Sequence, residues 1–79
     1  MALDVASVRA DFPILTREVN GVGLTYLDSA NTSQKPRSVV DAMTEHLTLH
    51  NANVARAMHT LGAESTGAFE GARAKVAAF

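Results

Sequence analysis

Leu24-Thr25-Tyr26-Leu27, followed by Asp28-Ser29-Ala30-Asn31-Thr32-Ser33-Gln34-Lys35-Pro36, is the stretch on which the fold turns. Its first four residues form the best strand candidate in the chain, a short apolar run that ends at Asp28-Ser29. Four residues are too few for alternation to fix which side faces inward. The next stretch, Ala30 to Lys35, is polar and short-chained, as suits an ordered loop presenting backbone and hydroxyl groups. Pro36 suits the first turn of a helix, where its missing N–H costs nothing. Beyond it Val39, Met43 and Leu47 recur at four-residue spacing, Val40 widens the stripe, and Asp41 and Glu45 take the polar side. The pattern predicts a helix to about Leu49. The chain so read is mostly helical with one short strand.

Upstream, Asp4 can accept the free amide hydrogens of a first turn and open a short helix over Val5–Ala10. Val8 and Phe12 lie four apart and can share a face. Pro13 lacks an amide donor and disfavours helix at Phe12, so the helix stops there. Asn20-Gly21 tolerates positive φ and marks a turn, and Gly23 adds a second loose joint.

Downstream, His50-Asn51-Ala52-Asn53 reads as a polar break, and Val54 to about Thr60 as irregular. A last helix starts near Leu61 or Gly62, with Leu61, Ser65, Ala68 or Phe69, Ala72, Val76 and Phe79 on one narrow face. Glu70 and Arg73 are spaced to pair on the wet side. Gly67 and Gly71 each weaken that helix by up to about 1 kcal/mol unless the backbone is closely packed. The periodic pattern is still running at Phe79, and a lone strand leaves two open hydrogen-bonding edges. Both features predict that residues 1–79 are an amino-terminal part of a larger protein, with no internal domain boundary.

Seventy-nine residues and 8.3 kDa bound what the chain can do alone. A domain of this size buries about 60% of its unfolded surface, enough for a small core but hardly for a deep pocket. Hydrophobic residues make up 47% and charged residues 19%, which is not the balance of a disordered tail. The aromatics are only Phe12, Tyr26, Phe69 and Phe79, and much of the apolar fraction is alanine, which removes little area from water. A net charge of −1 gives no basic stripe for nucleic acid, and Lys35 with Arg37 reads as a solvated loop-to-helix junction. The absence of cysteine removes disulfides, thiolate chemistry and cysteine-based metal patterns from this segment and fits a cytoplasmic setting. The amino end carries Asp4, Arg9 and Asp11 with no long apolar run, so neither a signal peptide nor a membrane span is expected there.

Few residues advertise chemistry. His46 and His50 have an i,i+4 spacing, but no glutamate directly follows the first, and solvated or helix-end histidines are the favoured reading over a metal site. Asp28 at the strand end could enter a site, though bracing the turn through Ala30 and Asn31 is favoured. No glycine-rich phosphate signature is present. Asn51, Asn53, Arg56 and His59 form the densest polar constellation. It reads either as a satisfied turn network or as a loop reaching an anionic ligand or second subunit, with Arg56 supplying a fixed five-donor fork.

Four stretches carry a family resemblance. They are Asp11-Phe12-Pro13-Ile14-Leu15; Tyr26 through Pro36; Asn51-Ala52-Asn53-Val54 with Arg56 and His59-Thr60-Leu61; and Phe69-Glu70 through Ala72-Arg73 to Lys75-Val76 and Phe79. In this order they resemble the amino-terminal portion of cysteine desulfurases of the class V aminotransferase group, in the branch serving SUF-type iron–sulfur cluster assembly. The resemblance implies a fold-type I α/β enzyme that depends on pyridoxal 5′-phosphate and works as a cytoplasmic homodimer. Such an enzyme converts L-cysteine to L-alanine and passes persulfide sulfur to an acceptor protein. The Schiff-base lysine and the mobile-loop cysteine of that group lie outside this segment, so no catalytic residue is assigned here and neither Lys35 nor Lys75 takes that role. By the same resemblance, Ala30, Asn31 and Thr32 match the loop near the substrate side of the cofactor. Asn53, Arg56 and His59 match the motif around the active-site entrance and dimer interface.

The chain departs from its relatives in two places. They commonly read Asp-Asn-Ala-Ala-Thr where this sequence has Asp28-Ser29-Ala30-Asn31-Thr32. They also have histidine and glycine flanking the arginine, where this chain has Ala55 and Ala57. Two other readings follow: a divergent selenocysteine lyase or other class V enzyme, and a small non-enzymatic helical interaction module. The isolated segment is expected to be inactive, with no metal, nucleic-acid or membrane partner.

Overall fold

A computed structural model describes residues 2–56 and 58–79. The chain divides into two units, Met1–Ala42 and Met43–Phe79. In the first unit, helix α1 covers Val5–Ala10, and the Asp4 carboxylate caps it. It accepts the Ser7 amide at 3.2 Å and the Ser7 hydroxyl at 2.7 Å, supplying a partner for one of the free N–H groups of the first turn. Pro13 ends the helix as expected and takes the first position of a 3-10 turn over Pro13–Thr16. The Ser7 hydrogen bonds hold the Asp4 carboxyl below its usual range. The cap is therefore fully present above about pH 3.8 and lost as pH falls through that lowered value. Ser7 amide protection, read by NMR hydrogen exchange, is expected to collapse in Asp4→Ala at neutral pH and to persist in Asp4→Asn, which keeps an acceptor.

Asn20-Gly21 makes the turn that the sequence requires. Asn20 has φ 54° and Gly21 φ 75°, so both central residues are left-handed. That two-residue loop matches the right-handed twist of the flanking strands. Strand β1 (Glu18–Val19) pairs antiparallel with β2 (Val22–Gly23), with Val19 opposite Val22 and Glu18 opposite Gly23.

Here the structure corrects the expected strand at Leu24–Leu27, which carries no strand assignment. Pairing ends with the Leu24 amide donating to the Arg17 carbonyl at 3.0 Å. Residues before Arg17 are wound into the 3-10 turn and offer no edge to continue the ladder. The Leu24 carbonyl instead accepts from the Arg9 guanidinium at 3.1 Å, and Leu27 is 92% exposed. The paired strands fall on the hairpin arms, where only the turn had been legible.

Helix α2 (Arg37–Glu45) begins directly after Pro36, whose carbonyl accepts the Val39 and Val40 amides at 3.0 and 3.1 Å. The Arg37 amide, another orphan donor of the first turn, is taken by the Asp11 carbonyl at 2.7 Å. The predicted reach to about Leu49 is met with a change of winding: His46–His50 form a π turn. The Thr48 hydroxyl donates to the Thr44 carbonyl at 2.7 Å, a side chain inserted into the ladder that goes with the wider turn.

In the second unit, helix α3 runs over Thr60–Ala78, starting a residue or two earlier than expected because His59 caps it. The expected small core does not form: among the described residues no hydrophobic side chain is buried. Val39, Met43 and Leu47 are all exposed, as are Leu61, Phe69 and Val76 on α3. The spacings are helical, and the faces they define lie uncovered. Glu70 and Arg73, which their spacing would let pair, make no ion pair among the described residues; an exposed pair of long side chains gains little over water. No helix among the described residues is long and apolar enough to cross a membrane.

Candidate functional site

Ala30, Asn31 and Thr32 lie in the first unit, on the exposed loop between the hairpin and α2. Lys35 closes this loop on itself. Its ammonium donates to the Thr32 hydroxyl at 3.4 Å and to the Ser33 carbonyl. Asp28 makes no hydrogen bond to any described residue, so the turn-bracing role expected of it passes to Lys35. Beside the loop opens an apolar groove of about 320 Å³, with Val8, Phe12, Leu15 and Tyr26 in its walls and Ser29 and Ser33 among its polar lining. The groove unites Val8 with Phe12, as their spacing predicts, and it flanks the loop residues without including Ala30, Asn31 or Thr32.

Asn53, Arg56 and His59 lie in the second unit. The structure gives them separate tasks. His59 Nδ1 accepts the Gly62 amide at 3.0 Å and serves as the N-cap of α3, which fixes the ring proton on Nε2. Asn53 and Arg56 make no side-chain hydrogen bond to a described residue and remain available at the loop surface. Ala55 and Arg56 are both left-handed, at φ 60° and 54°. For residues with a Cβ that conformation costs about 1–2 kcal/mol each. It is held partly by the Ala55 amide, which donates to the Thr66 hydroxyl at 2.7 Å. Ala57, which stands where relatives have glycine, lies outside the described residues, and the left-handed positions observed are the two before it.

The contacts of five residues escaped the sequence reading. His50 Nδ1 lies 2.8 Å from a Glu64 carboxylate oxygen, and its Nε2 lies 3.7 Å from Glu45. The hydrogen bond from Glu64 pushes the His50 pKa up, with Glu45 adding in the same direction. Ser65, 2% exposed, donates to the His50 carbonyl at 2.7 Å, and Thr66 holds Ala55 as described. Ser65 left a trace in the sequence as a hydroxyl interrupting an apolar stripe. The His50–Glu64 contact joins residues fourteen apart and left none. No cluster of three or more metal-ligating side chains occurs among the described residues.

Comparison with known proteins places these features in a family. The chain is 55% identical over 98% of its length to a probable cysteine desulfurase of Streptomyces coelicolor. It is 52% identical over its full length to a probable cysteine desulfurase of Vibrio cholerae, and 54% identical over its full length to a cysteine desulfurase of an Enterobacter species. The chain spans 19–20% of the length of these relatives. The family described as aminotransferase class-V matches residues 25–79, a span that holds the Ala30–Thr32 loop, α2, the Asn53–His59 segment and α3. The chain belongs to the aminotransferase class-V family.

Proposed function

We propose that these 79 residues are the amino-terminal part of a cysteine desulfurase, cytoplasmic and homodimeric, of the type that supplies sulfur for iron–sulfur cluster assembly. The observation that carries this reading is identity above 50% running across essentially the whole chain to relatives bearing that name. The parent enzyme would use pyridoxal 5′-phosphate in a fold-type I architecture and release L-alanine from L-cysteine. Its sulfur would pass as persulfide to an acceptor protein.

The residues present do not by themselves make a site for that cofactor. Lys35 is engaged by Thr32 and Ser33, and Lys75 lies in the last turn of α3, so neither is the desolvated lysine that Schiff-base chemistry needs. No step is therefore assigned to this segment. Its contribution is to shape the surroundings: Ala30, Asn31 and Thr32 on the substrate side, Asn53, Arg56 and His59 at the entrance or dimer interface. Asn31 brings a larger hydrogen-bonding group to that loop than its relatives carry.

The test uses the protein encoded by the whole reading frame that contains these residues. With L-cysteine and a thiol reductant it is expected to form L-alanine and sulfide in equal amounts. Release of selenide from selenocysteine, without turnover of cysteine, would instead establish the lyase reading. Turnover of neither would sink both, leaving the helical interaction module.

A further inference from the structure

The chain holds asparagine at positions 20, 31, 51 and 53, and of these Asn20 alone is followed by glycine. The others precede Thr32, Ala52 and Val54, whose side chains crowd their own backbone nitrogens. Asn20 and Gly21 form the two-residue loop between β1 and β2, both exposed and both left-handed. Among the described residues the Gly21 amide donates no hydrogen bond, and the Asn20 carboxamide makes none. A side chain built on Gly21 would meet nothing within 4 Å, so the loop tip is open on that side. The arms that hold the turn are two residues each, and all four are exposed. A hairpin this short is marginal in water and opens locally at little cost. Opening frees the backbone at Asn20 and lets its carboxamide swing onto the Gly21 nitrogen.

We propose that Asn20-Gly21 is a self-modifying site, where the Gly21 backbone nitrogen displaces ammonia from the Asn20 carboxamide and the hairpin is then lost. The deprotonated Gly21 nitrogen attacks Cγ of Asn20. The N–Cγ bond forms, the Cγ–Nδ2 bond breaks, and Nδ2 leaves as ammonia after taking a proton from water. The product is a cyclic imide spanning the two residues. Water opens it at one of its two carbonyls, with no oxidant or reductant involved. Cleavage of the new N–Cγ bond gives aspartate at position 20. Cleavage of the bond from nitrogen to the original Asn20 carbonyl carbon gives isoaspartate, with the main chain rerouted through Cγ. Aspartate keeps the turn, since Asp-Gly suits this loop as Asn-Gly does. Isoaspartate adds one carbon to a loop whose length sets the pairing of Val19 with Val22 and Glu18 with Gly23. Either product adds a negative charge to a chain whose formal net charge is −1. The reaction uses these two residues and does not depend on the desulfurase reading, so its test reads mass and backbone protection and not turnover.

The test is incubation of the whole protein at physiological temperature, at mildly acidic and mildly alkaline pH, followed by peptide mapping with mass spectrometry. Isoaspartate is scored by enzymatic methylation of its free carboxylate. The Asn20 peptide is expected to gain the mass of an amide-to-acid exchange at least roughly tenfold faster than the peptides carrying Asn31, Asn51 and Asn53, a factor that a small difference in barrier carries. The rate should rise with pH, because the deprotonated nitrogen is the attacking form. Exchange protection of the Leu24 amide, which donates to the Arg17 carbonyl at 3.0 Å, should fall in proportion to the isoaspartate formed. Asn20→Asp, freshly prepared, carries the other product and should keep that protection. Asn20→Gly retains a turn-forming pair without a carboxamide and should abolish the mass gain. Conversion at Asn20 no faster than at the other three asparagines overturns the site, as does a mass gain that survives Asn20→Gly. Full Leu24 protection in protein rich in isoaspartate overturns the loss of the hairpin.

Discussion

In the desulfurase proposed above, replacing Arg56 by glycine is expected to stabilise the protein and to lower kcat/KM for alanine release by about 10- to 100-fold. The two effects have separate origins. Arg56 sits at φ 54°, beside a second left-handed residue, Ala55, at φ 60°. Glycine occupies that region without the Cβ clash, which returns about 1 kcal/mol. The loss of activity comes from the guanidinium, which no described residue engages and which can clamp an anionic group with two parallel hydrogen bonds. Hydrogen bonds to charged groups contribute about 1.5–3 kcal/mol, and that is the origin of the 10- to 100-fold figure. Arg56→Lys keeps the charge and the strain but loses the fork, so it should lose activity without gaining stability. Ala55→Gly relieves the neighbouring strain and keeps the arginine, so it should gain stability with kcat/KM nearly unchanged. Denaturant midpoints and steady-state kinetics on the whole enzyme check all three. If Arg56→Gly retains full activity, the arginine has no role in substrate handling and its backbone strain needs another cause.

What the sequence made legible were the local devices. Asp4, Pro13, Asn20-Gly21 and Pro36 act through their own backbone geometry within a few residues, and each ends or starts an element where expected. The strand at Leu24–Leu27 failed for the opposite reason. Strand formation depends on a partner edge, and the 3-10 turn before Arg17 removed it. The apolar stripes of α2 and α3 were correct in spacing, but periodicity cannot say what covers a face. At the candidate site, the residue types of the Asn53–His59 segment drew attention, while their individual tasks did not show. His59 as a cap and Arg56 as a left-handed residue are facts of φ and distance. The family match, by contrast, was legible from order and identity alone.

Ser65→Ala is expected to destabilise the protein by about 1–2 kcal/mol, the largest stability loss predicted for any exchange this small in the chain. Ser65 is 2% exposed, and its hydroxyl donates to the carbonyl of His50, the last residue of the π turn. Carbonyls at the end of a helix have no partner in the next turn, and the part-buried serine leaves little room for water to take its place. Alanine removes the oxygen with almost no change in volume, so the cost is that of a part-buried carbonyl left without its donor. Thr66→Ala provides the comparison. It also deletes a hydroxyl that holds loop backbone, at the Ala55 amide, but in an exposed position where water can substitute. Its cost should stay under about 0.5 kcal/mol. Urea titrations with unchanged m-values measure both. A Ser65→Ala midpoint equal to wild type, or a larger loss for Thr66→Ala, would show that burial does not set the strength of these two anchors.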